Sequence, residues 1–270
     1  MIVRILIDNV SKDHLIPEWG LAVFIEYNGH KILLDTGATG KFIDNAASMG
    51  LDISQVEFGV LSHAHYDHSD GMACFFQRNE KAPFYLRDGS KENCYGKKLL
   101  ENHYIGIHKG FLEAYKDRII YVKGDYKVIP GVELIPHKTQ GLELLGEKAG
   151  MYVEENGELN PDSFAHEQSL VFHTEKGMVI FNSCSHGGAD NIIQEIADTY
   201  PKERIYALIG GLHLFESSHE EVSSLAKRLR NTGVEKIYTG HCTGDKALGI
   251  LKEELGDRVE EIYTGMTIII

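Results

Sequence analysis

Six consecutive residues, His63-Ala64-His65-Tyr66-Asp67-His68, place three imidazoles and a carboxylate in one short segment. Imidazole nitrogen and carboxylate oxygen are the donors that zinc and its neighbours take. On an extended chain alternate side chains share a face, so His63 and His65 point together while a turn aims Asp67 and His68 elsewhere. One loop can thus serve two metal ions. Ions so held lower the pKa of water from about 15.7 toward ~7 and polarise a carbonyl or phosphoryl oxygen, which is hydrolytic chemistry at neutral pH. The same residue types recur downstream in Ser183-Cys184-Ser185-His186-Gly187-Gly188, Gly210-Gly211-Leu212-His213-Leu214 and Thr239-Gly240-His241-Cys242-Thr243-Gly244. Gly187-Gly188 lets backbone pass close to a ligand before a helix whose N-terminus favours an anion.

These residues need elements to hold them. Glu57 to Leu61 reads as a short apolar strand running into the hexad, and Ile237-Tyr238 stands before His241 in the same way. Upstream, Ile2 to Asp8, Leu21 to Tyr27 and Lys31 to Asp35 read as strands, the last two joined by an Asn28-Gly29 turn. Lys41 to Met49 reads as a helix with Phe42, Ala46 and Met49 on one face and Gly50 as its stop. In the second half, strands at Gln168–His173, Met178–Asn182, Tyr206–Ile209 and Lys236–Thr239 alternate with helices at Ala189–Thr199, Ser218–Arg230 and Asp245–Leu255. The pattern predicts an α/β chain with two similar halves. The middle is weaker: strands at Pro83–Arg87, Arg118–Val122 and Val132–Ile135, a helix near Lys109–Lys116, and no linker, so residues 1–270 form one domain. Val234 to His241 matches Val259 to Met266 in six of eight positions, which we read as two strands of similar chemistry, the second ending in Met.

Composition narrows the function. With 27 Lys plus Arg against 40 Asp plus Glu, the net charge of −13 opposes a phosphate backbone or an anionic bilayer. No apolar run approaches the roughly 18 residues of a spanning helix, and no secretory leader is evident, so a cytoplasmic protein without nucleic-acid or membrane partners is expected. Four cysteines without a C-x-x-C pair are expected to be reduced.

The hexad resembles the H-x-H-x-D-H signature of the metallo-β-lactamase superfamily, continued by Asp67-His68-Ser69-Asp70-Gly71 as D-H-x-x-G. Leu33-Leu34-Asp35-Thr36-Gly37 resembles the family's first motif, whose Asp supports the site without binding metal. Glu167-Gln168-Ser169-Leu170, the Cys184–His186 segment, the His213 segment and His241-Cys242-Thr243-Gly244 resemble a branch of ribofuranosylaminobenzene-phosphate synthase-like and folate-like-ligand-binding proteins. The chain departs from the common pattern in two places. Cys184 falls near the position of a bridging Asp, and His166 or Glu167 falls near an upstream His ligand.

The resemblance implies a four-layer αβ/βα sandwich with the site at one edge of two facing sheets. It implies one ion on His63, His65 and His186 and another on Asp67, His68 and His241, with zinc as the default and manganese or iron as alternatives. Cys184 then ligates or shields. The expected activity is hydrolysis of an ester, lactone or phosphoester of a small, anionic substrate by metal-bound hydroxide. Asp67 would orient the nucleophile and His213 protonate the leaving group. Two other functions fit the branch: a synthase or transferase acting on a phosphoribosyl and pterin-like pair, or a metal-containing binding protein for a folate-like ligand. Residues 75–160 are expected to carry a lid or substrate-binding insertion, in which His103, His108, Lys97, Lys98 and Lys109 could meet the anion. His14, His30, His137, His173 and His219 are read as solvated.

Overall fold

The computed structural model describes residues 1–98 and 101–270. Its first part runs β1 (Ile2–Ile7), β2 (Ala22–Tyr27), β3 (His30–Leu34), α1 (Lys41–Ser48), β4 (Phe58–Val60), α2 (Tyr66–Ser69), α3 (Met72–Arg78) and β5 (Phe84–Arg87). The middle adds β6 (Cys94–Lys98), β7 (Glu101–Tyr104), α4 (Phe111–Ala114), β8 (Ile119–Val122), β9 (Tyr126–Ile129), β10 (Val132–Pro136), α5 (Glu143–Ala149), β11 (Met151–Glu155) and β12 (Glu158–Pro161). The last part is β13 (Gln168–Thr174), β14 (Gly177–Phe181), α6 (Ala189–Thr199), β15 (Ile205–Ile209), α7 (His219–Asn231), β16 (Lys236–Thr239), α8 (Asp245–Leu255), β17 (Val259–Glu261) and β18 (Thr267–Ile269).

Two seven-stranded sheets face each other, in orders β18-β1-β2-β3-β4-β5-β8 and β17-β16-β15-β14-β13-β10-β9. Between them lies a core to which Val23, Ile25, Ile32 and Val60 contribute from one sheet and Leu134, Phe172, Val179 and Ile209 from the other. Phe42 and Ala46 of α1 and Phe75 of α3 cover the outer face of the first sheet. Ile192, Val222, Leu229 and Leu251 of α6, α7 and α8 cover the second. The result is the four-layer αβ/βα sandwich. Strands buried on both faces need near-continuous apolar sequence, and β2 and β14 have it. A capping box between Ser218 and Glu221 starts α7.

β3, β4, β5 and β8 pair in parallel, as do β14, β15, β16 and β17. Asp35, His63, His186, His213 and His241 all follow the carboxyl ends of such strands, where α/β sheets gather their ligands. The two members of the sequence repeat are neighbouring parallel strands, β16 and β17.

The middle segment differs from its expected outline. A third sheet, β12-β11-β6-β7, stands beside the sandwich, and its polar, short strands carry little periodic signal. An isolated bridge between His65 and Gly106, and the 2.9 Å bond from Tyr66 N to Ile105 O, tie this sheet's flank to the hexad. Expected helix Lys109–Lys116 shrinks to Phe111–Ala114 and a 3-10 turn at Lys116–Arg118. Among the described residues no helix is long and apolar enough to cross a membrane.

Candidate metal centre

Asp35 organises the hexad from beneath. It is fully buried with φ of 56°, and its carboxylate accepts from Ser62 N and Ser62 Oγ at 2.7 Å each and from His68 Nδ1 at 2.8 Å. Thr36 adds two bonds to the His68 carbonyl, both 2.9 Å, so the turn after β3 grips the turn after β4. Gly71 closes the arrangement, because a Cβ there would lie 2.3 Å from the Thr36 oxygen. His65 is extended and Tyr66–Ser69 is a single helical turn, and the His68 ring packs 4.2 Å, centre to centre, from that of His63.

Turns from the second half complete two donor clusters, one of His63, His65 and His186 and one of Asp67, His68 and His241, each with ligand atoms within 4.8 Å of one another. His63 Nε2 and His186 Nε2 are 3.4 Å apart, and His68 Nε2 and His241 Nε2 are 3.2 Å apart. Asp67 Oδ2 lies 3.4 Å from His241 Nε2 and 3.7 Å from His68 Nε2. Five non-glycine residues around the site, Asp35, Phe164, Ser185, His213 and His241, have φ between 47° and 56°. Backbone held in this sparsely populated region concentrates where side chains must be aimed against local preference.

The donor atoms fit cations. His68 Nδ1 faces the Asp35 carboxylate, and His241 Nδ1 faces Asn9 Oδ1 at 3.0 Å, whose amide is oriented by its bond to the His241 carbonyl. Both partners only accept, so in the neutral rings both protons sit on Nδ1 and two Nε2 lone pairs meet at 3.2 Å. A cation, whether a metal ion or a proton, relieves that contact. Burial, reinforced by neighbouring imidazoles, holds His63 and His186 well below the usual histidine range. His65 is pushed down to about 3 by burial and His166, so these rings offer neutral lone pairs. For Asp67, burial opposes ionisation, but His68 and His241 outweigh it and hold the carboxyl below its usual range. His241 is raised to about 9, because Cys242 and Asp67 outweigh the opposing effect of burial. His65 Nε2 and His186 Nδ1 are buried without protein partners.

The remaining candidates fall as follows. Cys184 Sγ lies 3.2 Å from His68 Nε2 and within 4.8 Å of ligand atoms on His63 and, in a second cluster, on His241. It stands between the two halves. His213 is half-buried, its ring centre 4.5 Å from that of His186, and its Nδ1 has no partner. His166 accepts from Ala64 N through Nδ1 at 3.1 Å and faces Asp162 with Nε2 at 2.9 Å, so it braces the hexad backbone. Glu167 accepts from His186 N at 3.1 Å and joins neither of the two three-donor clusters.

His137 is not solvated. Its side chain is 7% exposed and sits between Glu167, 3.3 Å from Nε2, and Glu195, 3.2 Å from Nδ1. The sequence offers no cue, because these partners come from elements far apart in the chain. Burial lowers its pKa, yet the two carboxylates outweigh that and raise it to about 9. A folded pKa above the unfolded value of about 6.5 means stability fully present below that value and lost as pH rises through about 9. Urea unfolding should therefore show a gap between wild type and His137→Gln that is large near pH ~6 and closes by pH ~10; a gap that widens with pH contradicts this. His173 is likewise partly buried, 2.8 Å from Glu203. His14 and His219 are exposed, and His30 pairs with Glu57 at the surface.

A cavity of about 700 Å³ opens over both clusters. Trp19, Phe215 and Tyr104 give it aromatic walls, and Lys97 and His103 reach it from the third sheet. Trp19 packs against His241 with ring centres 5.2 Å apart. Asn9, Ser62, Trp19, Phe164 and Phe215 carry no sequence signal as site residues, since they lie outside the His-rich motifs and only the fold brings them together. His108 and Lys109 line a neighbouring cavity of about 530 Å³, and the Lys98 side chain lies outside the described residues.

Two mixed sheets sandwiched between helices, with a His-rich loop at the strand ends, are the architecture of metallo-beta-lactamase fold proteins. The family model of the metallo-beta-lactamase superfamily matches residues 19–150, just under half of the chain. It is 28% identical over 267 residues to the 7,8-dihydropterin-6-methyl-4-(beta-D-ribofuranosyl)-aminobenzene-5'-phosphate synthase of Methanocaldococcus jannaschii, covering 93% of this chain and 91% of the relative. It is 29% identical to Tm1679, a metal-dependent hydrolase of the beta-lactamase superfamily, with a TM-score of 0.85, covering 100% of this chain and 99% of that one. Human tRNase Z, short form, shares the fold at 11% identity, with a TM-score of 0.57 and coverage of 100% and 99%.

Proposed function

We propose that the chain is a two-metal hydrolase acting on an ester, lactone or phosphoester of a small, anionic molecule. The observation that carries the reading is the pair of donor clusters, His63/His65/His186 and Asp67/His68/His241, on the floor of one cavity. Divalent ions held there would acidify a water and polarise the substrate's carbonyl or phosphoryl oxygen. Zinc suits the nitrogen and oxygen donors, and a thiolate at Cys184 would favour zinc or iron over manganese.

The protein's own groups divide the remaining work. Asp67, kept anionic by its imidazole neighbours, can accept a hydrogen bond from the attacking water and fix its direction. His213 borders the cavity and can hold a proton for the leaving group. Trp19 and Phe215 exclude water on one side, while the third sheet acts as the substrate-binding insertion on the other, its Lys97 and His103 suited to an anion. The ligand is a small molecule, the working compartment the cytoplasm, and the net charge of −13 disfavours nucleic acid.

A synthase reading is favoured by one finding, the 28% identity over most of the chain to a relative named as a synthase. Metal-reconstituted protein should be assayed on phosphoesters and lactones and, in parallel, on a phosphoribosyl donor with a pterin-like acceptor. Chelator-sensitive turnover of a single ester or lactone supports hydrolysis. Turnover only when both partners are present supports condensation, and saturable binding with no turnover contradicts both.

A further inference from the structure

We infer that Glu167, at ion-pair distance from His137, is the positioning residue of the His63/His65/His186 cluster and acts by fixing the backbone beneath the His186 ring. The inference rests on the metal-binding reading above. His186 projects from the turn between β14 and α6, immediately after Ser185, whose φ is 51°. Its own N–H donates to Glu167 Oε2 at 3.1 Å, and Glu167 is only 1% exposed. The other oxygen, Oε1, faces His137 Nε2 at 3.3 Å, and His137 Nδ1 faces Glu195 Oε2 at 3.2 Å. Glu195 belongs to α6, and its Oε1 accepts from Lys138 N at 2.8 Å and Thr139 N at 2.7 Å. The chain of contacts thus links the end of β10, the residue before β13 and the helix that follows His186.

Two further observations narrow the role. A Cβ at Gly187 would lie 2.3 Å from the His137 ring, so only glycine lets that ring lie against the turn. Glu167 joins no donor cluster among the described residues, so it acts through the His186 backbone and not as a ligand. His137 raised to about 9 is a cation at neutral pH, which keeps two buried carboxylates compatible with one another.

The test uses full-length protein loaded with zinc and a chelator competition that resolves each bound ion, with the cobalt-substituted visible spectrum as a second readout. Glu167→Gln is expected to weaken one ion roughly 10–100-fold, the usual effect of losing an outer partner of a ligand, and to leave the other within about twofold. His137→Gln should weaken the same ion, and Glu167→Asp should recover part of the loss. A role in stability alone would lower the melting temperature without separating the two ions. Equal weakening of both ions, or no change in either, overturns the inference. If Glu167→Gln fails to fold, the same comparison on Glu167→Asp and His137→Gln decides. Wild type that takes up no metal overturns instead the reading on which the inference rests.

Discussion

Replacing Asp67 by Asn is expected to lower kcat/KM about 10²- to 10⁴-fold, the span of a positioned acid–base group, and to release the ion of its own cluster. Asn keeps the shape and removes the charge. In wild type the Asp67 carboxylate lies 3.4 Å and 3.7 Å from the Nε2 atoms of His241 and His68. An amide in that place puts a neutral dipole beside the ion and leaves only an uncharged, weaker acceptor to align the attacking water. The measurement is steady-state turnover of the best substrate together with metal content of the same sample. Activity within about threefold of wild type at full metal content would remove Asp67 from the mechanism.

Asp35→Ala is expected to destabilise the metal-free protein by about 3–5 kcal/mol, at roughly 1–3 kcal/mol for each buried donor left without its acceptor. Three donors, Ser62 N, Ser62 Oγ and His68 Nδ1, lose their acceptor at a fully buried position. Water cannot replace it there without opening the turn. Alanine also fits poorly at φ of 56°. Since whole domains are stable by roughly 5–15 kcal/mol, this is a large fraction of the total. Urea unfolding of both proteins without metal gives the number directly, and a loss below about 1 kcal/mol would show that Asp35 does not organise the hexad. Metal binding should fall with it, because His68 loses the partner that fixes its tautomer.

Much of this architecture could be read before any coordinates. Helices Ala189–Thr199 and Asp245–Leu255 occupy the expected residues, because apolar periodicity and flanking glycines agree there. His63, His65, Asp67 and His68 stand out by type and spacing, while Asp35, His186 and His241 stand out through motif resemblance; the fold gathers the six donors and sets Asp35 beneath them. The third sheet did not stand out, since Met151–Glu155 and Glu158–Pro161 are short, half-polar strands and the first of them pairs with a segment more than fifty residues earlier. His137 shows the same limit. It is followed by Lys138-Thr139-Gln140, which suggests solvent, while its burial depends on Glu167 and Glu195 arriving from other elements. Cys184 is intermediate: its place near a missing Asp was visible, but only the fold sets its sulfur beside His68.

Elemental analysis of the purified protein, with His68→Ala and His241→Ala alongside, tests the two-metal site most directly. The expected result is about two metal ions per chain in wild type and about one or fewer in each variant. Wild type without metal after reconstitution with zinc, manganese or iron, or variants that retain the wild-type count, would contradict it.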